Sequence, residues 1–358
     1  MTRLTRADLD ALPTYVPGRN VADLARELGI AEAIKLASNE VPFGPLPGVP
    51  EAVATAMRSA HRYPDMGVME LRDRLAGKFG VTADRVVTGC GSVALAEHLA
   101  KATCLPGDEI VYAWRSFEAY PILSAVAGAT SVRVPNIPGH GHDLPAMADA
   151  ITDRTRLVFV CNPNNPTGTA VRRDELDRFL AAVPSDVLVV LDEAYREFVT
   201  DASVPDGFET YGDRPNVVVL RTMSKAWGMA GLRLGFLIAQ PDVAGAVRKV
   251  LTPFSTSVVA QVAALAALDQ EDEVRRRCAI IIGERDRVTE AVRKLGVDVP
   301  ESQSNFVWLP LSDRSVAFAA ACEERGVIVR PFPEGVRVTI GTPEENDTFL
   351  AAAEKALG

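Results

Sequence analysis

Short runs of Val, Leu and Ile alternate along this chain with stretches whose apolar residues recur at helical spacing. The runs are EIVYA (109–113), RLVFVCNP (156–163), VLVVLDEAY (187–195), NVVVLRT (216–222) and GFLIA (235–239). Near-continuous apolar runs of this length suit strands buried on both faces of a mostly parallel sheet. EAVATAMRSAH (51–61), VMELRDRLAGKFG (68–80) and VALAEHLAKAT (93–103) carry helical spacing. Helical stretches between several runs supply the crossovers that parallel strands need. From about 257 the pattern changes. One long helical region (258–296) leads to NFVWLPL, a helix over SVAFAAACEERG, the strands VIVRPF and VRVTIG, and a closing helix, EENDTFLAAAEKALG. The expected fold class is α/β: a three-layer α/β/α large domain, 36–255, plus a smaller α+β domain, 256–358. Residues 1–35, with LPTYVPGR as an extended arm, return to the small domain.

Composition narrows the function. The chain has 358 residues, 47% of them apolar and 24% charged, which allows a sizeable core. A net charge of −9 and a pI near 5.2 argue against a general nucleic-acid or anionic-membrane surface. Five scattered cysteines with no CxxC pair read as reduced thiols of a cytoplasmic protein. His140 and His142, in PGHGHD, lack nearby partners for a zinc site, so no metal is expected. MTRLTRADLD has no apolar core of a signal peptide, and no run reaches the length of a membrane helix.

The strand ends hold the chemistry, where open α/β sheets place their ligands. RLVFVCNP ends in NPNNPTG, VLVVLDEAY carries Asp192 and Tyr195, NVVVLRTMSK delivers Ser224 and Lys225, and EIVYA runs into WRSFEAY. Singly, each has a plain structural reading: a turn, a helix cap, a solvent-facing lysine, a surface arginine. Together they match the needs of pyridoxal phosphate. Its aldehyde needs a lysine amine for a Schiff base, which Lys225 offers. Its ring nitrogen needs a carboxylate, Asp192. Its phenolic oxygen needs donors, Asn165 and Tyr195. Its phosphate needs hydroxyls, backbone N–H groups at a helix start and a guanidinium. GCGSVALAEHL offers Gly91, Ser92 and Val93 at such a start, and Ser224 and Arg233 complete the anion site.

On these residues the chain resembles the fold-type-I pyridoxal-phosphate aminotransferases, in their histidinol-phosphate and aromatic branch. The stretches that carry the resemblance are YVPGR, KLASNEVPFGP, RYPD, CNPNNPTG, LDEAYREF, RTMSKAWGMAGLRLG, SQSNFVWLP and VRVTIGTPEEND. The resemblance implies that Lys225 is the Schiff-base lysine and proton carrier, and that Phe117 stacks on the pyridine ring. It implies that Tyr63 reaches the phosphate of a neighbouring subunit, so that the working unit is a homodimer with shared active sites. It also implies that Arg337 binds the substrate α-carboxylate, that Asn39 lines the same pocket, and that Arg330 faces the distal end. A mobile arm carrying Tyr15 belongs to the same pocket.

The partners are then a small amino acid and a 2-oxo acid, with no nucleic acid and no membrane. The substrate stays open between phenylalanine or tyrosine with 2-oxoglutarate and, as the alternative, histidinol phosphate. A decarboxylase is a more distant reading. NEVPFG and GCGSVAL depart from the histidinol-phosphate pattern, and YAWRSFEAYP and RPFPEGVRV look more like the actinobacterial aromatic aminotransferases. The aromatic substrate is therefore the favoured expectation.

Overall fold

The apolar runs become the central sheet of the computed structural model, which describes Leu4, Thr5, Asp10, Leu12 and residues 20–358. In chain order the strands are β1 (Ile34–Lys35), β2 (Val86–Gly89), β3 (Glu109–Trp114), β4 (Thr130–Pro135), β5 (Thr155–Cys161) and β6 (Leu188–Asp192). There follow β7 (Val217–Thr222), β8 (Gly235–Ile238), β9 (Phe306–Leu309), β10 (Val327–Ile328), β11 (Arg330–Phe332) and β12 (Gly335–Thr339). One sheet has the order β2-β8-β7-β6-β5-β3-β4. Within it only β8 runs against the rest. The β7–β8 connection holds a short 3-10 turn, Ala230–Leu232, and no crossover helix, so β8 returns antiparallel.

Alternation along the strands feeds two cores. In β5, Leu157, Phe159 and Cys161 enter one, while Val158 and Val160 enter the other. The first packs beneath the helices Gly91–Thr103, Ala119–Val126 and Pro241–Val250; the second packs beneath Leu144–Asp149, Arg173–Ala182 and Gly207–Tyr211. Helices on both faces of a mostly parallel sheet are the expected α/β/α arrangement. A second, antiparallel sheet has the order β11-β12-β9. Its core joins Phe306 and Val338 to Phe318 and Phe349 of the helices Ser315–Glu323 and Pro343–Leu357. Among the described residues no helix is long and apolar enough to cross a membrane.

Two elements differ from the sequence expectation. The long helical region is two helices, Val258–Leu268 and Glu271–Lys294, parted at Asp269 and Gln270. Glu271, Asp272 and Glu273 open the second, where acidic side chains favour a helix start. VIVRPF is not one strand. β10 pairs in parallel with β1, and β11 pairs antiparallel with β12. Pro331 has no N–H to donate, and β11 lies at the edge of its sheet, where that is tolerated.

Candidate active site

Strand register gathers the chemistry at one edge of the large sheet. Gly235 of β8 lies opposite both Gly89 of β2 and Thr222 of β7, and Asp192 of β6 lies opposite Cys161 of β5. The loops leaving those residues wall a cleft of about 250 Å³, closed on its far side by Ala37–Glu40, Arg330 and Arg337. Ser92, Val93, Phe117, Asn165, Asp192, Tyr195, Ser224, Lys225, Arg233 and Asn39 all line it.

Lys225 follows β7 and is half-buried, its Nζ donating to the Ser38 carbonyl at 3.0 Å. Burial, then the Arg337 guanidinium, pushes its amine down to about 7, and Arg233 and Lys35 act in the same direction. Asp192 ends β6 with its carboxylate buried. The Tyr120 hydroxyl donates to Oδ2 at 2.8 Å, while Oδ1 has no hydrogen-bond partner among the described residues. Burial pushes this carboxyl up to about 6, against the hydrogen bonds from Tyr120 and the Ala194 N–H. Tyr120 itself is fully buried and stacked on Phe159 at 4.5 Å between ring centroids.

The other end of the cleft is built for an anion. The helix Gly91–Thr103 starts after Cys90, which makes no side-chain cap, so its first N–H groups stay available. Arg233, with a left-handed φ of 59°, turns its guanidinium to Ser224 Oγ at 3.3 Å and to the Ala230 carbonyl at 3.0 Å. That guanidinium lies so close to Gly91 that any Cβ there would strike it. Gly235 is needed for a similar reason, since a Cβ would meet the backbone of Gly91 and Ser92. The two glycines let β8 and Arg233 press against the helix start.

The small sheet supplies the opposite wall. Arg337 is buried; it donates to Asn165 Oδ1 and to the Ala37 carbonyl, each at 2.6 Å. Arg330 is its cross-strand partner, and its Nη2 donates to Glu118 Oε2 at 3.1 Å. Asn39 donates from Nδ2 to the Tyr195 hydroxyl at 2.9 Å. Its backbone N–H donates to Thr339 Oγ1 at 2.9 Å. Asn39 sits at φ 56°, a left-handed conformation that asparagine tolerates better than most residues. Burial raises the Tyr195 phenol above its ordinary range.

Residues 31–352 match the family described as "Aminotransferase class I and II". The chain belongs to the class I and II aminotransferases. An aromatic amino acid aminotransferase of Streptomyces coelicolor is 59% identical to this aminotransferase, over 98% of its chain and 96% of the relative. One from Mycolicibacterium smegmatis is 50% identical, over 98% and 94%. Among solved structures, histidinol-phosphate aminotransferase from Sinorhizobium meliloti, in complex with pyridoxal-5'-phosphate, superposes with a TM-score of 0.89. It is 27% identical, over 100% of this chain and 98% of that one.

The residues of this aminotransferase fit pyridoxal phosphate. The buried, unpartnered Asp192 Oδ1 offers an acceptor for a ring nitrogen. The uncapped helix start with Arg233 offers a phosphate cradle, and Lys225 offers an amine that is readily neutral. One expected site residue is not in the cleft lining. Tyr63 is 81% exposed and stacks on Phe254, with ring centroids 4.5 Å apart, away from the cleft. Tyr15 lies outside the described residues. Tyr120, Glu118, Thr222 and Gly235 were not foreseen. Only Gly235 had a signal in sequence, as the glycine that follows Arg233 and Leu234 in the lysine segment. Among the described residues no group of three or more His, Cys, Asp or Glu could hold a metal ion.

Proposed function

We propose that this aminotransferase moves the amino group between phenylalanine or tyrosine and 2-oxoglutarate, with pyridoxal phosphate as cofactor. The observation that carries the substrate is the likeness, at 50–59% identity over nearly the whole chain, to relatives named aromatic amino acid aminotransferase. The histidinol-phosphate enzyme from Sinorhizobium meliloti is a more distant relative at 27%. Specific activities with phenylalanine, tyrosine and histidinol phosphate, each against 2-oxoglutarate, test this. A strong preference for histidinol phosphate overturns it.

Pyridoxal phosphate, when bound, supplies an aldehyde that links to amines and a ring that takes up electrons. The chain does the rest. Lys225 Nζ presents a neutral amine, and later carries the proton to and from the substrate Cα. Asp192 keeps a proton on the ring nitrogen by accepting from it. Asn165 Nδ2 and the Tyr195 hydroxyl donate to the phenolic oxygen. Ser92, the Gly91–Val93 backbone, Ser224 and Arg233 hold the phosphate, and Phe117 covers the ring face. Arg337 and Asn39 hold the α-carboxylate end, and Arg330 the distal end. In this reading 36–255 carries the cofactor, and 256–358 with the arm 1–35 brings the substrate contacts.

The lowered Lys225 amine makes a pH prediction. Below about 7 the amine is an ammonium ion without a lone pair, and above it the neutral nucleophile dominates. Capture of pyridoxal phosphate by the apoenzyme, followed by its visible absorbance, should therefore rise through about pH 7 and level off above it. A rate still climbing through pH 10, as for an ordinary lysine, contradicts the assignment.

The finer assembly is a homodimer in which Tyr63 contacts the partner's phosphate site. Its exposed ring beside Phe254 supports that reading. Tyr63→Phe should weaken cofactor binding by about 1.5–3 kcal/mol, the worth of a hydrogen bond to a charged group. Equilibrium titration of the apoprotein measures it. A monomer fully active at nanomolar concentration is the result that rules the shared site out. Five free cysteines, four of them buried, favour the cytoplasm as the setting.

A further inference from the structure

We propose that Glu118 is a built-in stand-in for the second carboxylate of a dicarboxylic substrate. By occupying Arg330 it sets how far the site favours a ring over a dicarboxylate. The inference rests on the reading of Arg330 as the distal contact.

It starts from a conflict in the small sheet. Arg330 and Arg337 are direct cross-strand partners, and both guanidinium groups lie over the same Phe332 ring, at 5.5 and 5.7 Å from its centroid. Like charges directly opposite one another destabilise a strand pair. The two arginines are satisfied differently. Arg337 donates to neutral acceptors, Asn165 Oδ1 and the Ala37 carbonyl. Arg330 donates to a carboxylate, Glu118, at 3.1 Å.

Glu118 comes from the opposite wall, on the loop after β3 and directly after Phe117. The Arg330 and Glu118 side chains are 17% and 30% exposed, and both line the cleft. The pair therefore spans the cleft, and its charge interaction is only partly screened by water.

The two substrate types meet this pair differently. An aromatic substrate brings one carboxylate, for Arg337, and an uncharged ring. Glu118 then keeps the Arg330 charge compensated beside that ring, which lowers the cost of holding a partly desolvated cation there. A dicarboxylate brings its own second carboxylate. It must displace Glu118 from Arg330 and bind close to the displaced charge. Glu118 thus opposes dicarboxylates and tolerates rings.

The test uses holoenzyme and two unreactive probes, glutarate for the dicarboxylate and 3-phenylpropionate for the ring. Each is titrated against the cofactor absorbance. Glu118→Gln keeps the size and removes the charge. It should tighten glutarate about fivefold, the scale of a partly exposed ion pair, and leave 3-phenylpropionate unchanged or weaker. Unchanged or weaker glutarate binding in Glu118→Gln overturns the inference.

Arg330→Ala and the double variant separate the failures. If Arg330→Ala leaves glutarate untouched, the Arg330 reading fails and takes this inference with it. If it weakens glutarate, while Glu118→Gln brings no gain, the inference alone fails. In the double variant the gain should vanish, and a persisting gain also overturns the inference. Glu118→Asp keeps the charge and serves as the conservative control. Its glutarate affinity should stay near wild type, and a gain equal to that of Glu118→Gln would show that charge is not the cause.

Discussion

Lys225→Ala is expected to lower turnover by about four decades or more while pyridoxal phosphate still binds. The substitution removes both a nucleophilic amine and the proton carrier at the substrate Cα, and positioned acid–base groups alone contribute about two to four decades. Binding survives because the remaining contacts come from several elements: Arg233 and Ser224 from the same β7–β8 connection, Ser92 at the helix start, Asp192 at the end of β6. Lys225 also donates to the Ser38 carbonyl, so a modest local loosening of Ala37–Glu40 accompanies the loss. Two measurements check this. Single-turnover rates with phenylalanine report the chemistry. Borohydride treatment followed by peptide mass analysis should attach the cofactor to the Lys225 peptide in wild type and to no peptide in the variant. A rate within tenfold of wild type, or an adduct on another lysine, refutes the role.

Much of this site was legible in the sequence, because its residues end strands that are themselves easy to see. β5, β6 and β7 are Val- and Leu-rich and buried on both faces, so their carboxyl ends could be located, and Asp192 and Lys225 with them. What escaped has physical reasons. β4, at the sheet edge, has a single buried position, Val134, and the rest are exposed or half-buried, so it shows no apolar run. β2 has only four residues, Val86–Gly89. The direction of β8 depends on a connection without a crossover helix, which apolar patterning does not record.

Side-chain pairs between distant elements were also beyond reach. Tyr120 lies three residues past Phe117 in a helix with Pro121 in its first turn, and its partner Asp192 is 72 residues away. Glu118 and Arg330 are 212 residues apart. Neither bond follows from spacing. The first exists because the helix Ala119–Val126 packs on the large sheet; the second exists because the edge of that sheet and the small sheet face one another across the cleft.

That facing also gives the two arginines separable effects. Arg330→Ala should raise the KM for 2-oxoglutarate strongly and affect the phenylalanine half-reaction much less. Removing one partner of a buried charge contact costs about 2–5 kcal/mol, or roughly one and a half to four decades in affinity. Arg337→Ala should damage both half-reactions on that scale, because both substrates present an α-carboxylate. It also strips donors from Asn165 Oδ1 and the Ala37 carbonyl, so some loss of stability accompanies it. The contrast between the variants is the informative quantity, since a general disturbance of the β11–β12 ladder would act on both substrates alike. Half-reactions followed separately, by the change in cofactor absorbance with phenylalanine and with glutamate, measure it. Equal damage to both in Arg330→Ala would remove the division of labour between Arg330 and Arg337. It would then place the distal carboxylate on some other group of the cleft.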